Sequence, residues 1–345
     1  MTAFAHMSHE EQIDRMRGIA HDALALWNIS SATLDLLKYR ENAVFKVASG
    51  GDKFALRIHR PGYHTNAALR SELQWMDALS DAGIDVPRIV PTEAGELFAV
   101  TEAVSMPAPL QIDLFEWIEG RQLGSVEAGV SDGAQSVHDL YFKLGELAAV
   151  VHDQAESWTP PAEFVRHAWD EHGLAGEEPF WGRFWELPAL TREQRRLLTA
   201  ARERVHRDLA ELSKVPRDYS LIHADFSGEN LLVEGDRVRL IDFDDAGYGW
   251  HLFELVTPLF FIMDEPYFDA ANKAVIDGYR SRRALSDEQL ARLPLFFLAR
   301  GLTYVGWVHT RPETQTAREL TGILVDMCCR LARDYLGASG RRDRK

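Results

Sequence analysis

Cysteine is nearly absent from this 345-residue chain: there are two, Cys328 and Cys329, and they are neighbours. That excludes a disulfide framework. The residues around them, Ile323, Leu324, Val325, Met327 and Leu331, mark both as small apolar members of a helix. Positive charge is also short. Lys+Arg 38 against Asp+Glu 53 leaves a formal net charge of −15, which argues against a nucleic-acid partner, because such binding needs cations to displace phosphate counterions. The acidic balance suits a cationic partner, and simple solubility explains it equally well. The basic end Arg341-Arg342-Asp343-Arg344-Lys345 reads as a frayed, solvated terminus. No apolar run approaches the length needed to cross a bilayer. Residues Met1 to Trp27 contain acidic side chains and no unbroken apolar core, so no signal peptide is expected. The expectation is a cytoplasmic protein without a membrane partner. Neither a Gly-x-Gly-x-x-Gly nor a Gly-x-x-x-x-Gly-Lys-Ser/Thr motif occurs, and the latter absence argues against P-loop enzymes. There are no internal repeats.

What is present is an ordinary globular composition, 46% hydrophobic and 26% charged, in a chain long enough for two lobes with separate cores. Ile13, Met16, Ala20, Leu24 and Trp27 recur at helical spacing. Then Asn42 to Val47, the turn Ser49-Gly50-Gly51-Asp52, and Phe54 to Ile58 read as a β-hairpin. Leu69, Leu73, Met76 and Leu79 predict a helix from Ala67 to Ala82, stopped at Gly83. Val86-Pro87 opens a further strand region, followed by the turn Glu93 to Glu96 and the strand Leu97 to Thr101. A proline-containing loop, Met106 to Leu110, leads to the apolar stretch Leu114 to Ile118. Helices are predicted from about Val137 to His152 and from Thr191 to Leu212, and more follow to the end. The fold class is α+β: a strand-rich N-terminal lobe with a leading helix (1–114), a hinge (115–120) and a helical C-terminal lobe (121–345).

One stretch interrupts the helices, "LIHADFSGENLLVEGDRVRLIDFDD" from Leu221 to Asp245. It sets His223, Asp225, Asn230 and Asp242 among apolar runs, joined by a tight hairpin. Carboxylates in such surroundings are expensive unless paired or holding a metal. Asp225 is suited to accept or orient a hydroxyl proton, Asn230 offers a neutral amide oxygen, and Asp242 an anionic carboxylate. Magnesium takes hard oxygen donors and keeps several waters, so two protein ligands suffice when phosphates supply the rest. Phosphoryl transfer needs mainly positioning and charge neutralisation. The constellation fits a kinase.

The spacing His-x-Asp-x-x-x-x-Asn, a hairpin, then Asp-Phe resembles the protein-kinase-like fold. The form "HADFSGEN…IDFDDAGYGWHLFEL" resembles the aminoglycoside phosphotransferase and choline kinase-type family over roughly Asn42 to Glu254. The branch it is most similar to contains hydroxylysine kinase, homoserine kinase-like proteins and stress response kinase A. The resemblance implies ATP and Mg2+ as cofactors, Asp225 as the catalytic residue, and Asn230 and Asp242 as metal ligands. It also implies structural roles for His223, bracing the catalytic loop, and for Glu254, on the helix beneath it. In "FALR" Arg57 stands where the family places a lysine on the phosphates, with Glu72 as its partner; Lys46 and Lys53 are the alternatives. Asn42 belongs to the turn expected over the phosphates, Tyr39 to Ala43. Phe115 and Trp117 belong to the segment expected to carry adenine, lined by Leu56 and Ile241; plain lobe packing accounts for the Trp equally well.

Ala224 stands where regulated protein kinases carry an arginine, and Asp242-Phe243-Asp244 replaces Asp-Phe-Gly. Too few residues follow Asp242, before the helix predicted at His251 to Phe260, for a long activation segment. A small hydroxyl acceptor is therefore expected; an amino alcohol would suit carboxylates and an aromatic face, and a hydroxy amino acid would also use Arg300. Asp244, Asp245, Trp250 and Arg300 are the candidate contacts, with Tyr304 and Trp307 on the face of Arg300. A protein Ser/Thr kinase, an antibiotic phosphotransferase and an inactive nucleotide-binding module are the other readings.

Overall fold

The computed structural model describes residues 4, 7–40, 42–103, 106, 108–123, 134–235 and 237–342. The chain divides into two compact units, Met1–Gly120 with Thr159–Val165, and Arg121–Trp158 with Arg166–Lys345.

In the first unit, helix α1 (His9–Ala23) starts at a capping box in which the Ser8 side chain and Glu11 satisfy each other's backbone N–H groups. It runs on into a 3-10 turn, Leu24–Trp27. A five-stranded antiparallel sheet follows, built from β1 (Thr33–Tyr39), β2 (Ala43–Ser49), β3 (Asp52–Ile58), β4 (Ala99–Thr101) and β5 (Leu110–Glu116), in the order β1-β2-β3-β5-β4. The turn between β2 and β3 places Gly50 and Gly51 at φ 61° and 98°, which is why two glycines stand there. Helix α2 (Asn66–Asp81) is capped by Thr65 and is followed by Gly83 at φ 82°.

Pleat alternation gives the sheet two distinct faces. Phe45, Val47, Leu56, Ile112 and Leu114 form one core cluster with Met16, Ile19, Ala20 and Leu24 of α1. On the other face Val44 and Lys46 stand opposite Arg57 and Ala55, which in turn oppose Asp113 and Phe115. Leu56 therefore belongs to the α1 core and is fully buried there. It is not on the face of Arg57, which contradicts its expected place in a slot beside that residue; Ala55 shares the face of Arg57, because a one-residue step along a strand exchanges the faces. The region opened by Val86-Pro87 forms a single bridge, Ile89 to Phe115, in place of a strand; Pro87 and Pro91 supply no N–H for a ladder. The expected strand Leu97 to Thr101 shortens to β4. Pro107 of the expected loop lies outside the described residues, as does Glu41 of the expected phosphate turn.

The second unit is mostly helical. Its long helices are α3 (Ala134–Ser157), α5 (Arg192–Ala210), α7 (Phe268–Arg280), α9 (Leu293–Thr310) and α10 (Gln315–Arg342), with the short α4 (Glu171–Ala175), α6 (His251–Val256) and α8 (Asp287–Leu290). Helix α6 stops short of the predicted Phe260 and passes into a 3-10 turn, Thr257–Ile262, where Pro258 cannot donate to the helix ladder. Two small sheets carry the loops that matter: β6 (Arg121–Gln122) with β9 (Leu231–Glu234) and β10 (Arg237–Leu240), and β7 (Ala168–Trp169) with β8 (Tyr219–Ile222) and β11 (Gly247–Trp250). Helices α3 and α7 meet at Gly145 and Gly278. A Cβ on Gly145 would lie 2.1 Å from the Val275 carbonyl oxygen, and one on Gly278 2.0 Å from that of Phe142, so the two backbones pack closer than any side chain allows. Cys328 and Cys329 are free thiols buried in α10. Arg341 and Arg342, expected in a frayed end, complete α10, and 343–345 lie outside the described residues. Among the described residues no helix is long and apolar enough to cross a membrane.

Candidate active site

The second unit gathers the motif residues at the ends of β8 and β10. Directly after β8, His223 is fully buried. Its Nε2 faces the Ile241 carbonyl at 2.9 Å, so the proton sits on Nε2, and Nδ1 accepts from the Asp225 N–H at 3.2 Å. The ring thus ties the loop carrying Asp225 to the end of β10. Between them Ala224 adopts φ 64°, a left-handed conformation that disfavours any residue with a Cβ. Both polar groups of this residue are held. Its N–H donates to Glu254 Oε2 at 2.8 Å, and its C=O accepts from Arg300 Nη1 at 2.8 Å. Glu254 Oε1 takes the His223 N–H, also at 2.8 Å. One buried carboxylate in α6 therefore anchors two successive backbone N–H groups.

Asp225 is fixed at both carboxylate oxygens. Asn230 Nδ2 donates to Oδ2 at 2.7 Å and to the Asp225 backbone carbonyl at 2.9 Å, while Arg300 Nη2 donates to Oδ1 at 3.1 Å. Because Nδ2 is committed to two acceptors, the Asn230 Oδ1 points away from them. The Ile241 N–H bonds the Asn230 carbonyl at 2.9 Å, which brings Asn230 beside the base of the hairpin where Asp242 follows. Asp242 is exposed and also lies at φ 64°. Two left-handed non-glycine residues in one loop pair store strain of the kind found at functional sites.

The segment after Asp242 is short and pinned. Arg166 donates to the carbonyls of Asp244 at 2.6 Å, Ala246 at 2.5 Å and Phe243 at 3.4 Å. The Asp245 carbonyl takes the Trp169 indole N–H at 2.8 Å and the His167 ring at 3.1 Å. The Asp244 side chain is buried, and the half-buried Asp245 carboxylate accepts the Trp181 N–H at 3.0 Å.

Behind Glu254 lies a buried polar chain. His152 and His251 stack at 4.0 Å with an interplanar angle of 12°. His152 Nδ1 contacts the Tyr279 hydroxyl at 3.0 Å, its Nε2 lies 3.7 Å from Glu254, and His251 Nε2 meets the Ser220 hydroxyl at 2.8 Å. Burial holds both imidazoles well below the usual histidine range, aided by Arg283. Burial pushes the Glu254 carboxyl up, against the pull of His223, the two N–H donors and Arg300.

Two acceptor candidates are corrected by these contacts. Trp250 pairs with Tyr219 at the far end of β8, about 13 Å along the strand from His223. Its indole N–H bonds the Ser213 carbonyl, and its ring packs on Tyr219 and Phe296, so it is a core residue. Arg300 is fully buried, enclosed by Trp181, Phe253 and Tyr304, and committed to the catalytic loop.

In the first unit Arg57 lies in a buried ionic cluster. Its Nη2 meets Glu72 at 2.7 Å and Asp113 at 2.7 Å, its Nε meets Asp113 at 3.1 Å, and His59 joins Asp113 at 2.8 Å. Burial alone would raise the Asp113 carboxyl, but Arg57 and His59 together hold it below the usual carboxylate range. Phe115 lies beneath the guanidinium, 5.3 Å from its ring centre. Lys46 sits over the Trp117 ring at 4.5 Å, and Lys53 pairs with Glu119 at 2.8 Å. The Asn42 side chain accepts the Arg60 N–H at 2.9 Å, closing the β1–β2 turn against the end of β3. The N–H groups of Glu116 and Trp117 bond the carbonyls of Arg88 and Lys53, so neither is free to donate elsewhere.

The sequence reading missed Asp113, His59, Arg166 and the His152–His251 pair. Asp113 had a signal, a lone carboxylate in the apolar run "LQIDLFE". The others had none, because their partners come from 54 to 99 residues away or through the packing of separate helices.

The model of the Phosphotransferase enzyme family matches residues 36–291. The chain belongs to that family. It is a phosphotransferase. It is similar to a solved microcompartment-associated aminopropanol kinase, with 31% identity, a TM-score of 0.82, and coverage of 94% of this chain and 98% of that one. The amicoumacin kinase of Bacillus subtilis is 23% identical over 323 residues, covering 90% of this chain and 88% of its own. An amicoumacin kinase solved with AMP-PNP, Ca2+ and amicoumacin shares the fold at 19% identity, with a TM-score of 0.75 and coverage of 93% and 96%. The two-lobed α+β class and the kinase activity thus stand as expected from the motif.

Proposed function

We propose that this phosphotransferase moves the γ-phosphate of Mg-ATP to the hydroxyl of a small amino alcohol. Asp225 receives and orients the acceptor hydroxyl. Asn230, through Oδ1, and Asp242, through its carboxylate, hold magnesium; one neutral and one anionic oxygen fit a metal that completes its shell with waters and phosphates. Magnesium, when bound, neutralises charge on the phosphates. Arg57, held in register by Glu72 and Asp113, faces the phosphates, Asn42 shapes the turn over them, and Phe115 to Ile118 receive the adenine. His223 and Glu254 hold the loop's conformation. Asp244 and Asp245 supply negative charge for the acceptor's ammonium group.

The observation that carries this reading is the two-point fixing of Asp225 by Asn230 and Arg300, which suits a reaction governed by positioning. The choice of an amino alcohol over a hydroxy amino acid is supported by the same contact, since it removes Arg300 from any acceptor carboxylate. Similarity to an aminopropanol kinase points the same way. The test is ADP release across a panel of amino alcohols, hydroxy amino acids, aminoglycosides, amicoumacin and a Ser/Thr peptide. Amino alcohols are expected to give the highest kcat/KM; a preference for hydroxy amino acids, antibiotic or peptide refutes the assignment of the acceptor.

A further inference from the structure

We infer that Arg300 is a positioning residue for phosphoryl transfer, acting through Asp225. The inference rests on Asp225 being the residue that orients the acceptor. Arg300 lies on α9, 75 residues from Asp225 in sequence, yet its two terminal nitrogens reach successive residues of the catalytic loop: the Ala224 carbonyl at 2.8 Å and the Asp225 carboxylate at 3.1 Å. Nη2 is itself held by the Tyr304 hydroxyl at 2.9 Å, one helical turn along α9. Trp181, Phe253 and Tyr304 place ring centres 5.2, 5.2 and 4.4 Å from the guanidinium carbon. The side chain has no exposed surface, so it is locked by packing and does not meet substrate.

The geometry explains why this cation is an arginine. The torsion that orients a carboxylate about its Cβ–Cγ bond is soft and roughly two-fold. Asn230 alone fixes one oxygen; the fork of Arg300 fixes the other and also the peptide that precedes it. A lysine offers a point charge on a flexible stem and cannot span both sites in one plane. A displacement of about 1 Å at a reacting group can lower turnover roughly a hundredfold, so loss of this tether should appear in kcat while nucleotide and acceptor still bind.

The experiment is a double-mutant cycle on the full-length enzyme with the best acceptor of the panel, reading kcat, both KM values and thermal unfolding. Arg300→Met should lower kcat by about a hundredfold with both KM values within about threefold of the parent, and Arg300→Lys should recover part of the loss. In an Asp225→Asn background, Arg300→Met should add less than about threefold, because residues acting as a unit are not additive. If Arg300→Met does not fold, Tyr304→Phe serves in its place: a several-fold loss of kcat that disappears in the Asp225→Asn background supports the inference. A collapse of turnover in Asp225→Asn with full additivity of the second change overturns the role of Arg300 alone. Parent-level turnover in Asp225→Asn overturns the reading of Asp225 and the inference with it. Loss confined to thermal stability, or to KM, assigns Arg300 a structural part and also overturns it.

Discussion

Glu254→Gln is the sharpest probe of the loop's support. The parent carboxylate accepts the N–H groups of His223 and Ala224, each at 2.8 Å, one on each oxygen. A glutamine amide has one acceptor and one donor, so in either orientation its NH2 faces a buried N–H. The lost charge-assisted bond is worth about 1.5–3 kcal/mol, and the N–H left facing a donor costs about 1–3 more. Their sum, about 2.5–6 kcal/mol, corresponds to a Tm fall of roughly 5–24 °C for a unit of this size. The left-handed Ala224 conformation loses half of its clamp, so kcat should fall at least about tenfold at a temperature where the variant is still folded. Differential scanning calorimetry and ADP release, each at several temperatures, give both quantities. A Tm within about 2 °C of the parent, with unchanged kcat, would refute the claim that Glu254 holds the loop.

Three further predictions test other parts. Asp242→Ala should raise the magnesium concentration needed for half-maximal rate, and Asn230→Ala should do so more mildly; unchanged magnesium dependence in both removes them as ligands. Arg57→Ala should raise the ATP KM and also destabilise the protein by about 3–5 kcal/mol, because Glu72 and Asp113 are left buried without their cation. Near-normal ATP kinetics in Arg57→Ala beside a collapse in Lys46→Ala would transfer the phosphate role to Lys46. The stacked His152 and His251 are held neutral in the fold, so unfolding takes up protons below the free histidine value of about 6.5, and stability falls as pH drops below it. The slope reaches at most about 1.4 kcal/mol per imidazole per pH unit. Glu254, whose carboxyl is raised, acts with the opposite sign, so the measurement is the difference between parent and His251→Gln. An identical pH slope between pH 5.5 and 6.5, roughly that window, counts against the buried neutral pair.

The motif from His223 to Asp242 was legible because its chemistry is local: His223, Asp225 and Asn230 bond one another within a few residues, and the hairpin returns the chain to Asp242. The β2–β3 hairpin was legible for the same reason, since Gly50-Gly51 names its own turn. The Leu56 assignment failed because strand alternation reports that two faces exist, and only the position of α1 says which one is core. Trp250 and Arg300 were placed by proximity in sequence and by helix face. Their true surroundings depend on the pairing of β11 with β8 and on the packing of α9 against the catalytic loop, which are long-range facts. Arg300 carried a partial signal, a lone cation in the apolar run "LPLFFLARGL", which indicated a buried partner without naming it.

The pinning of residues 243–246 by Arg166, His167 and Trp169 bears on how this kinase can be governed. Enzymes of related architecture that carry a swinging segment after the magnesium aspartate keep a record of earlier signals in that segment's position. Here the carbonyls that would have to let go are each held by a buried or half-buried side chain. The catalyst therefore has no memory in this segment. Any control over its rate would have to act elsewhere than on this segment.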